Sequence, residues 1–176
     1  MYRILVILLL IIISLSSCQE KRRRMSASEA RAMQKPLEDV NRQLLKQDEE
    51  QIRKHCERRG WDMKMTNSGL WYGKLKSDST LNEYIVKGDL IELKFKVELL
   101  DGRLLYTSDS LGTKVFEAGH GGVENGLEEG VLLMKENDKF RFIMPPHKAF
   151  GLLGDMNKIP ARSIIVYYVE VIRVEK

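Results

Sequence analysis

Few residues in this chain of 176 have types that could do chemistry. It holds two cysteines, Cys18 and Cys56, and three histidines far apart in sequence. Two cysteines cannot make a disulfide framework or a four-thiolate metal site, and scattered histidines supply neither a zinc nor a haem ligand set. No His/Asp arrangement accompanies Cys56, so its thiol reads as buried and inert; an intermolecular disulfide is the weaker alternative. Gly119-His120-Gly121-Gly122 is glycine-rich but lacks the Gly-Lys-Ser/Thr ending of a phosphate loop, and a loop ahead of a helix explains it. What remains is non-covalent chemistry. Phe95, Phe142 and Tyr167 lie on apolar strand faces and read first as core. Phe150 follows Pro145-Pro146 in a loop, where a plain core would not require an aromatic ring.

Those residues must be carried by ordinary globular structure. With 43% hydrophobic and 31% charged residues the chain is neither disordered nor polytopic. Residues 20–60 carry 12 Lys/Arg against 8 Asp/Glu, whereas residues 61–176 carry 16 against 17. The second part is therefore not built as a basic nucleic-acid surface, and no nucleic-acid partner is expected. Residues 25–59 read as a polar helix, with Pro36 in a first helical turn. Leu37, Val40, Leu44, Ile52 and Cys56 make a thin apolar stripe along it, and Gly60 closes it. This arm is either a spacer or a homodimerisation helix.

From Trp61 onward the apolar period changes to two. Gly69 to Tyr72 looks like an opening strand. In residues 91–99, Ile91, Leu93, Phe95, Val97 and Leu99 alternate with Glu92, Lys94, Lys96 and Glu98, the pattern of a sheet with one wet side. Asp101-Gly102 suits a hairpin turn, with residues 103–106 returning. Residues 125–134 predict the one short helix, capped by Asn125 with Glu128 reaching back, and packed through Leu127, Val131 and Met134. Phe140, Phe142 and Met144 mark a further strand, and residues 163–174 a central one. The fold class is α+β: a curved antiparallel sheet of five or six strands wrapped on one short helix, preceded by a polar helical arm.

At the N-terminus, Arg3 precedes ten apolar residues, 4–13. Ten helical residues rise about 15 Å, half of a roughly 30 Å hydrocarbon core, which suits a signal segment better than a span. Leu15-Ser16-Ser17-Cys18 then resembles a bacterial lipobox. That resemblance implies a signal peptide over 1–17 and lipidation of Cys18, whose two or three acyl chains would anchor the chain stably. The expected location is the bacterial cell envelope, facing the periplasm. An uncleaved anchor is the alternative, since Lys21-Arg22-Arg23-Arg24 after the apolar run favours a cytoplasmic C-terminal side. The lipobox is the more specific signal, and beside a lipid anchor the basic quartet suits anionic lipid.

Four motifs in register identify the second half. Leu100-Asp101-Gly102-Arg103, Gly126-Leu127-Glu128-Glu129-Gly130-Val131, Ala149-Phe150-Gly151 and Ile159-Pro160 resemble the FKBP family of peptidyl-prolyl cis–trans isomerases across residues 68–175. With the arm and the lipobox, the nearest resemblance is to the gliding-motility-associated FKBP-type lipoproteins. This divides the chain into the signal peptide (1–17), a lipid-anchored arm (18–60) and an isomerase domain (61–176). The resemblance implies an aromatic-lined pocket between sheet and helix formed by Phe95, Leu105, Tyr106, Phe116, Val123, Glu124, Leu127, Phe150, Ile159 and Tyr167. It implies no cofactor and no metal, and proline-containing polypeptides as clients.

The pocket departs from the family pattern. Leu127 stands where a tryptophan floor is usual, Phe150 where a tyrosine hydroxyl donates to a substrate carbonyl, Tyr106 where an acid is usual, and Phe95 where a tyrosine is. Glu124 takes an apolar position, with its carboxylate expected to turn outwards. Losing one or two ligand hydrogen bonds at about 0.5–1.5 kcal/mol each predicts a weakened site. The expected function is prolyl isomerisation that assists the folding of exported proteins. The alternative is a non-catalytic chaperone or an assembly factor of an envelope machine.

Overall fold

The computed structural model describes residues 26–77 and 83–176, with the backbone alone over 27–34. The signal-peptide segment and Cys18 lie outside the described residues. Helix α1 spans Ala27–Arg59. Pro36 sits inside it, not in its first turn as the sequence reading expects. The residues ahead of it, among them Ala27, Glu29, Ala30, Arg31, Ala32 and Met33, are strong helix formers, and they carry the helix upstream despite the roughly 3 kcal/mol cost of an interior proline.

The chain divides into two units, 1–41 and 42–176, so that the boundary falls inside α1. In the first unit Leu37 and Val40 are exposed. In the second, Ile52 and Cys56 are buried with Ile143, Ile164 and Val166. Gly60, at φ +62°, ends the helix. Its N–H donates to the Glu57 carbonyl at 3.2 Å and that of Trp61 to Cys56 at 3.0 Å, a closure that glycine's left-handed freedom permits. Burial pushes the Cys56 thiol pKa up, which keeps it protonated.

His55 is 5% exposed. Its ring meets Trp61 edge-on at 5.2 Å, and its Nε2 has no hydrogen-bond partner. Burial, and then the charges of Arg59, Arg58 and Arg141, push its pKa below the ordinary histidine value. A base depressed on folding contributes stability above its unfolded pKa of about 6.5, and that contribution is lost as pH falls towards the folded pKa. Stability to urea is therefore expected to decline between about pH 7 and pH 5, with His55→Gln removing part of the slope. Identical slopes for the two proteins would refute this.

Among the described residues, seven strands make one antiparallel sheet. They are β1 (Lys64–Met65), β2 (Trp71–Lys76), β3 (Leu90–Leu99), β4 (Leu104–Thr107), β5 (Lys114–Glu117), β6 (Lys139–Met144) and β7 (Ile165–Glu175). The order is β1-β2-β6-β7-β3-β4, with β5 also pairing β3. Two of the seven were not read from the sequence: β1, two residues long and too short to show a period, and the four-residue β5. On β3, Ile91, Leu93, Phe95 and Val97 are all buried, as their alternation predicts.

The partner of β3 on its outer side is interrupted. β5 covers Leu90 to Leu93 and β4 covers Lys96 to Glu98. Between β4 and β5 the chain makes a one-turn helix, α2 (Ser108–Leu111), which the sequence reading missed. Four residues are too few for a helical period to register; the local signal is Thr107, whose side chain accepts the Asp109 N–H at 3.2 Å. Phe95 falls in the gap. Its N–H donates to Ser108 Oγ at 3.2 Å and its carbonyl accepts from that hydroxyl at 3.3 Å, so one side chain replaces the missing ladder bonds.

Helix α3 (Asn125–Val131) packs on the sheet through Leu127 and Val131, with Met134 just beyond it, all fully buried. Its cap differs from expectation. Glu124 takes the N-cap position and makes no side-chain cap bond, and Asn125 is already helical. Glu128 reaches instead to the Gly119 N–H at 2.7 Å, fastening the glycine-rich loop.

Candidate active site

Beside the β3 gap lies a cavity of about 250 Å³, lined by Phe95, Val97, Tyr106, Leu111, Lys114, Glu124, Phe150, Asp155, Ile159 and Tyr167. Each element contributes by its geometry. β3 and β7 present Phe95 and Tyr167 on one face, with ring centroids 6.0 Å apart. The loop after the 3₁₀ turn Pro146–Lys148 supplies Phe150, Asp155 and Ile159.

Six of the residues expected from the sequence are brought together here: Phe95, Tyr106, Glu124, Phe150, Ile159 and Tyr167. Four others, Leu105, Phe116, Val123 and Leu127, pack in or against the core and are not among the lining residues. On β4 successive side chains face opposite ways, so Leu105 is buried while Tyr106 meets the cavity. Phe116 shares a face with Lys114, but lies one strand period away, opposite Ile91. Leu127 is fully buried, and the short leucine side chain ends within the core. Val123 is half-buried against that core.

The largest correction concerns Glu124. Its carboxylate does not turn outwards: the side chain is only 10% exposed, and its Oε2 lies 3.3 Å from Lys114 Nζ. Lys114 Nζ also donates to the Tyr167 hydroxyl at 3.0 Å and sits over the Phe95 ring, 5.3 Å from its centroid. The ammonium makes an inward carboxylate tolerable by supplying the countercharge that burial demands. Burial, reinforced by Glu124, pushes the Tyr167 hydroxyl far above the ordinary tyrosine range and keeps it protonated.

Across the cavity, the Tyr106 hydroxyl donates to Asp155 Oδ2. Asp155 Oδ1 accepts the N–H groups of Ile159 at 2.7 Å and Asn157 at 2.9 Å. Burial opposes the Asp155 charge, but these three donors together hold its pKa below the usual carboxylate value. The bond to Asp155 likewise raises that of Tyr106. Asp155 therefore places a carboxylate at the cavity wall, where it accepts from Tyr106. Gly154, one residue earlier, cannot be replaced freely: a Cβ there would lie 2.1 Å from the Ile159 carbonyl oxygen, and its φ is +73°. Lys114 and Asp155 were not read from the sequence as site residues. Nothing local in the sequence singles them out, because their partners are distant in sequence.

The fold is a small antiparallel-sheet domain, and its cavity opens between the sheet and the 150–160 loop. The family model for FKBP-type peptidyl-prolyl cis-trans isomerases matches residues 82–172, and the chain belongs to that family. It is 36% identical to peptidyl-prolyl cis-trans isomerase FKBP11 of Bos taurus over 85 residues, 48% of this chain and 42% of that protein. The chain thus matches less than half the length of that relative. Among solved structures, AtFKBP13 superposes with a TM-score of 0.60 at 25% identity, over 65% of this chain and 99% of that one. FkpA from Escherichia coli, also at 0.60 but 23% identical, covers 94% of this chain and 80% of its own, a likeness of fold alone.

Proposed function

We propose that the chain is a working peptidyl-prolyl isomerase whose active site is the cavity between β3, β7 and the 150–160 loop. The observation that carries this reading is the aromatic and aliphatic lining of that cavity. An X–Pro amide turns slowly because resonance sets a barrier of about 18–20 kcal/mol. Resonance places partial charge on the carbonyl oxygen, and water stabilises that planar, polarised form. A dry cavity removes this solvation, while the twisted amide, with less charge separation, loses less by it. The twisted state is thus bound better than the planar one. A gain of about 7 kcal/mol would be roughly five powers of ten in rate.

The clients we propose are non-native polypeptides with apolar residues near proline. Leu152, Leu153 and Met156, on the loop that walls the cavity, are 71%, 75% and 89% exposed. A flexible client could cover them as its prolyl ring enters. In the cell the clients would be exported proteins, met at the envelope by a domain tethered through lipidated Cys18, with the arm as spacer or dimerisation helix. The lipobox and the arm support that placement and the gliding-type lipoprotein subgroup.

A second reading, a binding module that holds a partner without isomerising it, is favoured by the Lys114–Glu124 pair, which brings charge into a cavity meant to be dry. Exchange spectroscopy on several X–Pro peptides with catalytic amounts of the chain separates the two. Enhanced cis–trans exchange supports the isomerase. Tight peptide binding without enhancement would replace it with the binding module.

A further inference from the structure

The loop that walls the cavity is fastened to α1 through one residue. Asp48 of α1 is 8% exposed, and its Oδ1 accepts a hydrogen bond from Arg162 Nη2 at 2.6 Å. Arg162 has φ +56°, a left-handed backbone that costs a non-glycine residue about 1–2 kcal/mol. In that conformation its N–H donates to the Gly151 carbonyl at 3.2 Å, immediately after Phe150. The side chain of Arg162 therefore grips α1 while its backbone grips the loop. The loop is also tied to β4, where Tyr106 donates to Asp155 and the Leu105 carbonyl accepts from Lys158 Nζ at 3.2 Å. Its other bonds are local, the Gly151 N–H going to the Pro146 carbonyl at 2.8 Å and Asp155 gathering Asn157 and Ile159.

We propose that Asp48 and Arg162 are positioning residues for the isomerase site. Their ion pair holds Arg162 in its left-handed conformation and so sets where Phe150 and Ile159 stand against Phe95 and Tyr167. Unpaired, Arg162 is free to relax towards right-handed φ, and its N–H leaves Gly151 as it does so. Helix α1 from Arg42 onward is on this view part of the frame of the site. Its apolar contacts, Ile52 and Cys56, seat the helix, whereas the ion pair transmits that seating to the loop.

The kinetic consequence rests on the isomerase reading; the consequence for loop order does not. The test compares full-length Asp48→Asn and Arg162→Lys with Arg53→Gln, which breaks the exposed Arg53–Glu57 pair on the same helix. Amide hydrogen exchange and kcat/KM on an X–Pro peptide are measured where every variant is folded. Asp48→Asn is expected to speed exchange at the Gly151 and Arg162 amides and to lower kcat/KM roughly three- to thirtyfold. Arg162→Lys, which keeps the charge, should fall between, and Arg53→Gln should change neither. If Asp48→Asn lowers the unfolding temperature but leaves the Gly151 and Arg162 amides and the kinetic constants unchanged, the pair is merely structural and the proposal falls. If the unmodified chain isomerises nothing, the isomerase reading fails on its own and the exchange data alone decide this one.

Discussion

Phe150→Ala is expected to lower kcat/KM for X–Pro isomerisation by about ten- to hundredfold. Phe150 is half-buried and lines the cavity from the loop side, opposite the strand-borne Phe95 and Tyr167. On the proposed mechanism its ring would shield one side of a bound amide from water. Removing it would widen the mouth of the 250 Å³ cavity on the loop side, where the proposed desolvation acts. A phenyl group is worth about 1.5–3 kcal/mol when fully buried, and each 1.36 kcal/mol of lost transition-state stabilisation is a factor of ten. Because bound water favours the planar amide over the twisted one, much of the loss should appear in kcat, beyond any rise in KM. Folding stability should fall by only about 1–2 kcal/mol, since the residue is only partly buried in the free protein. Peptide isomerisation rates and a urea titration of the same preparation check both halves. An unchanged kcat/KM would place the active site elsewhere.

How far such residues could be read from sequence depends on whether their environment is set locally. The inward face of β3 was legible because five apolar and four charged residues alternate without a break, and period two leaves one arrangement that buries the apolar set. The inner face of α3 was legible through the helical spacing of Leu127 and Val131, with Met134 just beyond the helix end. The interruption between β4 and β5 was not, since a single helical turn has no period. Its effect on Phe95 depends on the Ser108 hydroxyl, 13 residues away.

The site shows the same division. Strand parity placed Phe95 in the interior, but only the family resemblance marked Phe95 and Tyr167 as pocket residues. Lys114 and Phe116 share the inward face of β5, and the family resemblance pointed to Phe116. Yet Lys114 is the one that meets the cavity, because its charge is answered by Glu124, 10 residues on, and its hydrogen bond by Tyr167, 53 residues on. Asp155 was hidden likewise, since its partner Tyr106 is 49 residues away. A charge pairing across the fold leaves no local periodic signal, and so a residue-by-residue reading assigns it to solvent.

The Lys114–Glu124 pair leads to the second large expected effect. Lys114→Met leaves the Glu124 carboxylate, 10% exposed, facing the Tyr167 hydroxyl and apolar walls. Glu124→Gln leaves the ammonium over the Phe95 ring without its anion. Each single change is expected to cost about 1–3 kcal/mol, because an uncompensated charge remains where water is scarce. The Lys114→Met/Glu124→Gln double variant should lie within about 1 kcal/mol of the unmodified protein, since exchanging a whole pair for neutral groups of similar size is often neutral. A double-mutant cycle in urea reads the coupling directly, and additive single effects would show that the pair contributes nothing. Activity is the more telling outcome. If isomerisation proceeds by desolvation, the neutral double variant has the drier cavity and should isomerise apolar X–Pro peptides about two- to tenfold faster than the unmodified chain. A slower double variant would mean that the ammonium or the carboxylate engages the substrate, and the cavity would then owe its selectivity to the ion pair as well as to its rings.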